Sequence, residues 1–208
     1  MKREAYVLGA AWLRPSLLAS QKRLKAGLTY QLGLIGHRAI ADGKEPLASL
    51  ARRNRDWIST MPVTGRQMRQ TLEPHALQVS APDNLPIRDG DQLFYPTRPN
   101  TVTIVGAVEQ MCDLPHVAIQ DARVYLAQCV PSAYADTDSV YVIEPDGNVV
   151  KQGIALWNRS PPMPVAPGTV LYVPFGRRAT LRIVDSAFDR DMADFLATQV
   201  LAGPGMKQ

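Results

Sequence analysis

Three histidines, His37, His75 and His116, have the widest chemical repertoire in this chain, and they fall in separate elements. None has a second His or a Cys at ligand spacing, so the pattern points to no metal site. Glycine loops that cradle phosphate are missing: there is no GxxxxGK[ST], and no GxGxxG behind a strand, so no nucleotide cofactor is implied. A nucleophile elbow of GxSxG type is also absent. Carboxylates do occur in pairs, as Asp89/Asp91, Asp136/Asp138 and Asp189/Asp191. Glycoside hydrolysis needs two such groups facing each other across the scissile bond. Here the first two pairs sit in turns and the third at a helix start, where Asp is favoured for backbone reasons. The sequence therefore yields no catalytic residue and reads as a non-enzyme. A hydrolase built on converging pairs such as Asp136/Asp138 is the competing reading.

A different chemistry is suggested where flat aromatic faces adjoin planar hydrogen-bonding groups. Trp157-Asn158-Arg159 combines them beside a proline-rich loop, and Tyr95 with Arg98 does so before residue 99. An indole or phenol face covers sugar C–H surface, while Arg or Asn donates to hydroxyls or pairs with a carboxylate. These five residues are the candidate glycan- or partner-binding set. The plainer reading makes Trp157 a core-edge residue and the two arginines surface ties. The two cysteines, Cys112 and Cys129, either pair in an oxidising compartment or remain as buried thiols.

The elements that must position these residues are legible from periodicity. Residues 5–13 (AYVLGAAWL) predict an opening strand, broken by Arg14-Pro15-Ser16, with Ser16 as helix cap. Apolar residues at Leu17, Leu18, Leu24, Leu28, Leu32 and Ile35 predict a helix, weakened by Gly27 and Gly33. A second helix is expected over 46–59, with Leu47, Leu50, Trp57 and Ile58 on one face. From Thr71 the pattern turns to β, with strands expected at 75–80, 92–95, 101–110 and 114–119. Gly106 marks a bulge or a close backbone approach. A short helix opens at Asp121, a hairpin turns at Pro145-Asp146-Gly147-Asn148, and the last strand spans 168–175. Two segments repeat one order of turn, strand and proline, DGDQLFYP and APGTVLYVP, as two copies of one small fold would. Residues 185–202 predict a final helix with an apolar stripe of Phe188, Met192, Phe195 and Leu196. That stripe either docks on its own sheets or forms a partner or membrane-surface contact.

Charge is unevenly placed. Residues 1–72 hold 13 Lys/Arg against 4 Asp/Glu, and residues 73–208 hold 10 against 15. The two halves suit docking on each other or on another copy; alternatively the basic face seeks an anionic glycan or phospholipid headgroups. No nucleic-acid motif accompanies the basic segment. No stretch approaches the roughly 20 apolar residues of a spanning helix. The opening Met-Lys-Arg-Glu-Ala-Tyr lacks the apolar core of a signal peptide. The given chain is thus expected to be either cytoplasmic or a processed mature form.

The run DGDQLFYPTRPNTVTIVGAV (89–108) resembles the sugar-binding-type β-grasp repeat (SLBB) of outer-membrane polysaccharide export proteins. WNRSPPMPVAPGTVLYVPF (157–175), followed by an amphipathic helix, is similar to the GfcC-like capsule biosynthesis family. The resemblance implies an α+β fold of two β-grasp modules, the first over 1–98 with a helical hairpin inserted at about 16–70, the second over 99–180, and a helix and tail over 181–208. It implies a non-enzymatic, periplasmic accessory of capsule or extracellular polysaccharide assembly or export, without a cofactor. Its partners would be the export machinery or an outer-membrane protein, and an anionic polysaccharide. A purely structural adaptor docking through the C-terminal helix is the first alternative.

Overall fold

Where the sequence alternates helical and strand periodicity, the computed structural model has a mixed α+β fold; it describes residues 5–68, 85–180 and 182–201. The two long helices, α1 (Leu18–Ala41) and α2 (Glu45–Thr60), form an antiparallel hairpin. Leu28, Leu32, Ile35 and Ala39 on α1 recur at spacings of three and four and are all buried; Leu47, Leu50, Ala51 and Ile58 answer them on α2. Helix α1 is longer than expected because it runs on to Asp42, whose amide is the last to bond back to Arg38. Ser16 does not cap it. Pro15, pre-set for a helical start, opens a 3-10 turn over Pro15–Leu17 that feeds the helix directly.

The opening strand is shorter than the sequence suggests. A 3-10 turn occupies Val7–Gly9 and only Ala11–Leu13 (β1) is extended, pairing antiparallel with β2 (Gln92–Phe94). The Tyr6 hydroxyl donates to the Pro167 carbonyl (2.9 Å), which holds the entering chain beside the second half of the molecule. The strand expected at 75–80 lies outside the described residues.

The larger sheet has five strands: β3 (Thr101–Gly106), β4 (Cys112–Pro115), β5 (Ser139–Ile143), β6 (Val149–Gly153) and β7 (Val170–Val173). Their order is β4-β3-β7-β5-β6, with β3 and β7 parallel and every other pair antiparallel. The last strand in the chain is thus the central one, and its side chains Leu171 and Tyr172 are fully buried. Helix α3 (Ala122–Leu126) links the β3–β4 pair to the β5–β6 hairpin, with Asp121 as N-cap accepting from the Arg123 amide. A short α4 (Arg177–Thr180) follows β7, and α5 (Phe188–Ala197) closes the core.

Gly106 is the joint between hairpin and sheet. It has φ +98°, and a Cβ there would lie 2.3 Å from the Val173 carbonyl oxygen and against the Tyr172 ring. Only glycine accepts both the backbone and the contact. Its own carbonyl takes a hydrogen bond from buried Asn54 Nδ2 on α2 (3.1 Å).

The apolar stripe of α5 does not form a free interaction face. Phe188, Met192, Phe195 and Leu196 are all buried, because α5 lies between α1 and strands β5 and β6. The partner or membrane-surface role expected of these four residues is corrected accordingly: their hydrophobic area is already removed from water by their own chain. Asp185 accepts from the Ala187 amide (2.8 Å) at the helix entry.

One buried cation ties these pieces together. Arg66 is 3% exposed, and its guanidinium donates to the carbonyls of Ala197, Gln199 (2.8 Å), Ala10 and Pro145. Gln21 on α1 holds the same backbone, accepting from the Gly65 amide (2.8 Å) and donating to the Arg66 carbonyl (2.9 Å). Burial draws the Arg66 guanidinium down to about 10, with Asp146 acting against that, so it stays charged at neutral pH. Replacing Arg66 with Met is expected to cost about 3 kcal/mol or more in denaturant unfolding, since buried carbonyls in three segments lose their donor. Arg66→Lys should recover only part of it. A loss below about 1 kcal/mol for Arg66→Met would sink this account.

Candidate functional site

Strand β6 ends at Gly153, where the chain doubles back on itself. A Cβ at Gly153 would sit 2.1 Å from the Asn158 carbonyl oxygen, so the return is possible only past glycine. The loop is then clamped from both sides. The Gly153 amide donates to Ser160 Oγ (3.0 Å) and the Ser160 amide to the Gly153 carbonyl (3.0 Å). The Ile154 amide and Asn158 Nδ2 both donate to the Asp138 carbonyl, each at 2.9 Å. Trp157 Nε1 donates to the Asp138 carboxylate (3.3 Å).

The consequence is an exposed but anchored tip. Leu156 is 85% exposed and Trp157 77%, although both are large and apolar. Trp157 is therefore not a core-edge residue; its one polar atom is tied down and its ring is left to solvent. The same loop's Ile154 and Arg159 help line an open groove of about 460 Å³, together with Leu126, Val130, Pro131 and, at a second polar position, Arg123. The groove also includes Cys129, which forms a disulfide with Cys112 and so ties β4 to the exit of α3. Val130 adds to the apolar surface at 66% exposed.

Arg123 is held for this position by Asp121 (2.7 Å). Burial acts to raise the Asp121 carboxyl. Hydrogen bonds from the Arg123 side chain and from the amides of Arg123 and Met163 outweigh it, and hold the group below its usual value. Arg159 is exposed and lines the groove.

The five sequence-derived binding residues thus divide. Trp157, Asn158 and Arg159 are brought together on one clamped loop, with Asn158 as the inward-facing anchor. Tyr95 and Arg98 follow β2 and are exposed, but neither lines this groove. The sequence reading missed the opposite wall, Leu126, Val130 and Arg123, because α3 meets the 154–159 loop only through the fold.

The carboxylate pairs resolve into structural roles. Asp136 accepts from the Asp138 amide (2.9 Å) and from Ser139 Oγ (2.7 Å), so this pair sits on one turn rather than across a cleft. Asp91 pairs with buried Arg14 (3.4 Å), whose guanidinium also lies 4.4 Å over the Trp12 ring. Asp189, in the first turn of α5, accepts from the Tyr172 hydroxyl (2.9 Å) and joins that helix to the central strand. Among the described residues, no group of three or more His, Cys, Asp or Glu is arranged to hold a metal ion. No helix among them is long and apolar enough to cross a membrane.

These features define a mixed α+β protein that presents a clamped aromatic tip and an apolar groove lined in part by the same loop. Residues 110–201 match the family model for the capsule biosynthesis GfcC C-terminal region. That span takes in the tip, the groove and α5. The chain is also 28% identical over 168 residues to YjbG of Escherichia coli strain K12, described as an uncharacterized protein; the match covers 80% of this chain and 68% of the relative.

Asp189 supplies a pH signature. Burial pushes its carboxyl up to about 6, against the hydrogen bonds from Tyr172 and the Phe175 amide, and nearby Asp136 adds to the rise. The folded state then binds the proton more tightly than the unfolded state, so stability falls as pH rises from about 4 to about 6 and levels off above. Asp189→Asn is expected to gain on the order of 2 kcal/mol relative to wild type across that window. Thermal unfolding of both proteins between pH 4 and 8 measures it; a difference that does not change with pH would refute the assignment.

Proposed function

We propose that this protein is a non-enzymatic periplasmic accessory of capsule or extracellular polysaccharide assembly, and that it acts by docking a protein of the export machinery on the Trp157 tip. The observation that carries this reading is the tip itself: a clamped loop that holds Leu156 and Trp157 in solvent and contributes Ile154 and Arg159 to a groove that also holds Arg123. Exposed apolar area of this kind marks interaction surfaces, and Trp and Arg are the residues that dominate them energetically. The match of residues 110–201 to the capsule biosynthesis GfcC C-terminal model supports the setting.

The SLBB-type β-grasp reading belongs here too. Over residues 99–180 it is supported by two strands, a helix and three further strands, with the first and last strands parallel at the sheet's centre. Residues 1–98 would be a first such module carrying the α1–α2 hairpin. A binding rather than catalytic role is supported by the engagement of Asp91, Asp136 and Asp189 in internal contacts. The Cys112–Cys129 disulfide supports an oxidising compartment.

A photo-crosslinking residue at position 157, in cells producing the polysaccharide, is expected to capture an envelope component of its export apparatus. Trp157→Ala with Arg159→Ala should lower polysaccharide at the cell surface, and purified protein should leave glycan chain length unchanged. Capture of no export component, or shortened glycan, would count against the proposal. Alkylation before reduction is expected to leave Cys112 and Cys129 unmodified; full labelling of both would remove the support for an oxidising compartment.

A further inference from the structure

The outer face of α1 carries a second concavity, far larger than the groove at the tip. It has a volume of about 810 Å³ and lies between α1 and the end of α2. Lys22, Ala26, Tyr30, Gly33 and His37 line it from α1, spaced so that they share one face over about four helical turns, roughly 22 Å. Arg55 and Val63 supply the other wall.

Three features distinguish this groove. The first is charge: Lys22, Lys25, His37 and Arg55 line it and no carboxylate does, although Arg55 is also paired with its exposed neighbour Asp56 (3.0 Å). Lys25 is fixed in place, donating to the carbonyls of Ser59 (2.9 Å) and Met61 (2.6 Å) at the end of α2. The second is Tyr30, which stands 67% exposed in the middle of the cationic row. The third is Gly33. Glycine in a helix interior is disfavoured against alanine, and its use there calls for a close neighbour. No atom lies within 4 Å of where a Cβ would be at Gly33. The bare floor keeps the groove open and does nothing for the packing of the chain.

We propose that this groove binds a segment of an acidic polysaccharide, with Tyr30 covering a sugar face and Lys22 and Arg55 pairing with its carboxylates. Charge complementarity selects a polyanion, and the chain's excess of basic residues over 1–72 is gathered on this hairpin. The concave, elongated shape selects a linear chain over a flat membrane surface. An aromatic face flanked by cations suits a sugar bearing a carboxylate. The choice of a polysaccharide rests on the role proposed above; the site shares no residue with the Trp157 loop or its groove, so the two can fail separately.

The test uses the full chain and polymannuronate fragments, with dextran of matched length as the neutral control and phosphatidylglycerol vesicles as the lipid control. Polymannuronate binding is expected, weakening as salt rises, with none to dextran. Lys22→Glu with Arg55→Glu should reduce affinity by about tenfold or more. Gly33→Leu is the sharper variant, because it should unfold at the same or a higher temperature than wild type while losing the same binding. Trp157→Ala should bind polymannuronate normally. Absence of polymannuronate binding, or binding that survives Gly33→Leu, overturns the proposal. Binding to the vesicles alone overturns it in favour of a membrane surface.

Discussion

Arg66 donates to carbonyl groups of the opening segment, the β5–β6 turn and the end of α5, so three segments distant in sequence meet at one buried cation. A guanidinium suits this position because its fork of five donors reaches several acceptors at once and remains protonated when desolvated. The carbonyls at the end of α5 are also the negative end of that helix, which favours a cation beside them. Thr64 reinforces the contact by donating to the Thr198 carbonyl (2.6 Å). The chain's first strand, its last helix and the tip-bearing hairpin therefore share one anchor. The position of α5 follows from it, and with it the burial of the apolar stripe that would otherwise have been an exposed face.

The second constraint is the central placement of β7. It pairs with β3 on one side and β5 on the other, so the sheet is complete only when the end of the chain has been inserted. Gly106 and Tyr172 meet at that seam, and Asn54 carries the seam's backbone to α2. Tyr172 then hands its hydroxyl to Asp189 on α5. A continuous path of backbone contacts and buried hydrogen bonds runs from the helical hairpin, through the sheet, to the last helix. The hydrophobic core is correspondingly continuous across hairpin, sheet and α5.

With the interior so closed, the surfaces left for interaction are those the core cannot use. The Trp157 tip is rigid because Asp138 and Gly153 hold its base. The α1 groove is rigid because its walls are a helical hairpin with a packed interior. Rigid elements suit recognition, since little conformational entropy is lost when a partner is bound. Their chemistry differs: the tip is apolar with arginines, while the α1 groove is cationic with one tyrosine. One suits a protein and the other a charged chain.

Much of the local structure was legible in the residues. Helical spacing located α1, α2 and α5, the Pro145-Asp146-Gly147-Asn148 turn located the β5–β6 hairpin, and the close approach expected at Gly106 is present. Trp157, Asn158 and Arg159 were recognisable as a group because they are adjacent in sequence. Their usefulness was not, since exposure of Trp157 depends on the Asp138 clamp, nineteen residues away. Nothing in the local spacing set Arg66 apart from the other cations of residues 1–72, and the α5 stripe was consistent with a free face and with a covered one. The sequence by itself determined the long helices, the hairpin turn and the central strand, though not the extent of β1, because those choices rest on local periodicity and backbone preference. Only the tertiary structure decided which apolar stripe was covered, which cation was buried and which aromatic was left in water. Those outcomes depend on what distant segments bring to the same place, and burial is a property of neighbours, not of spacing.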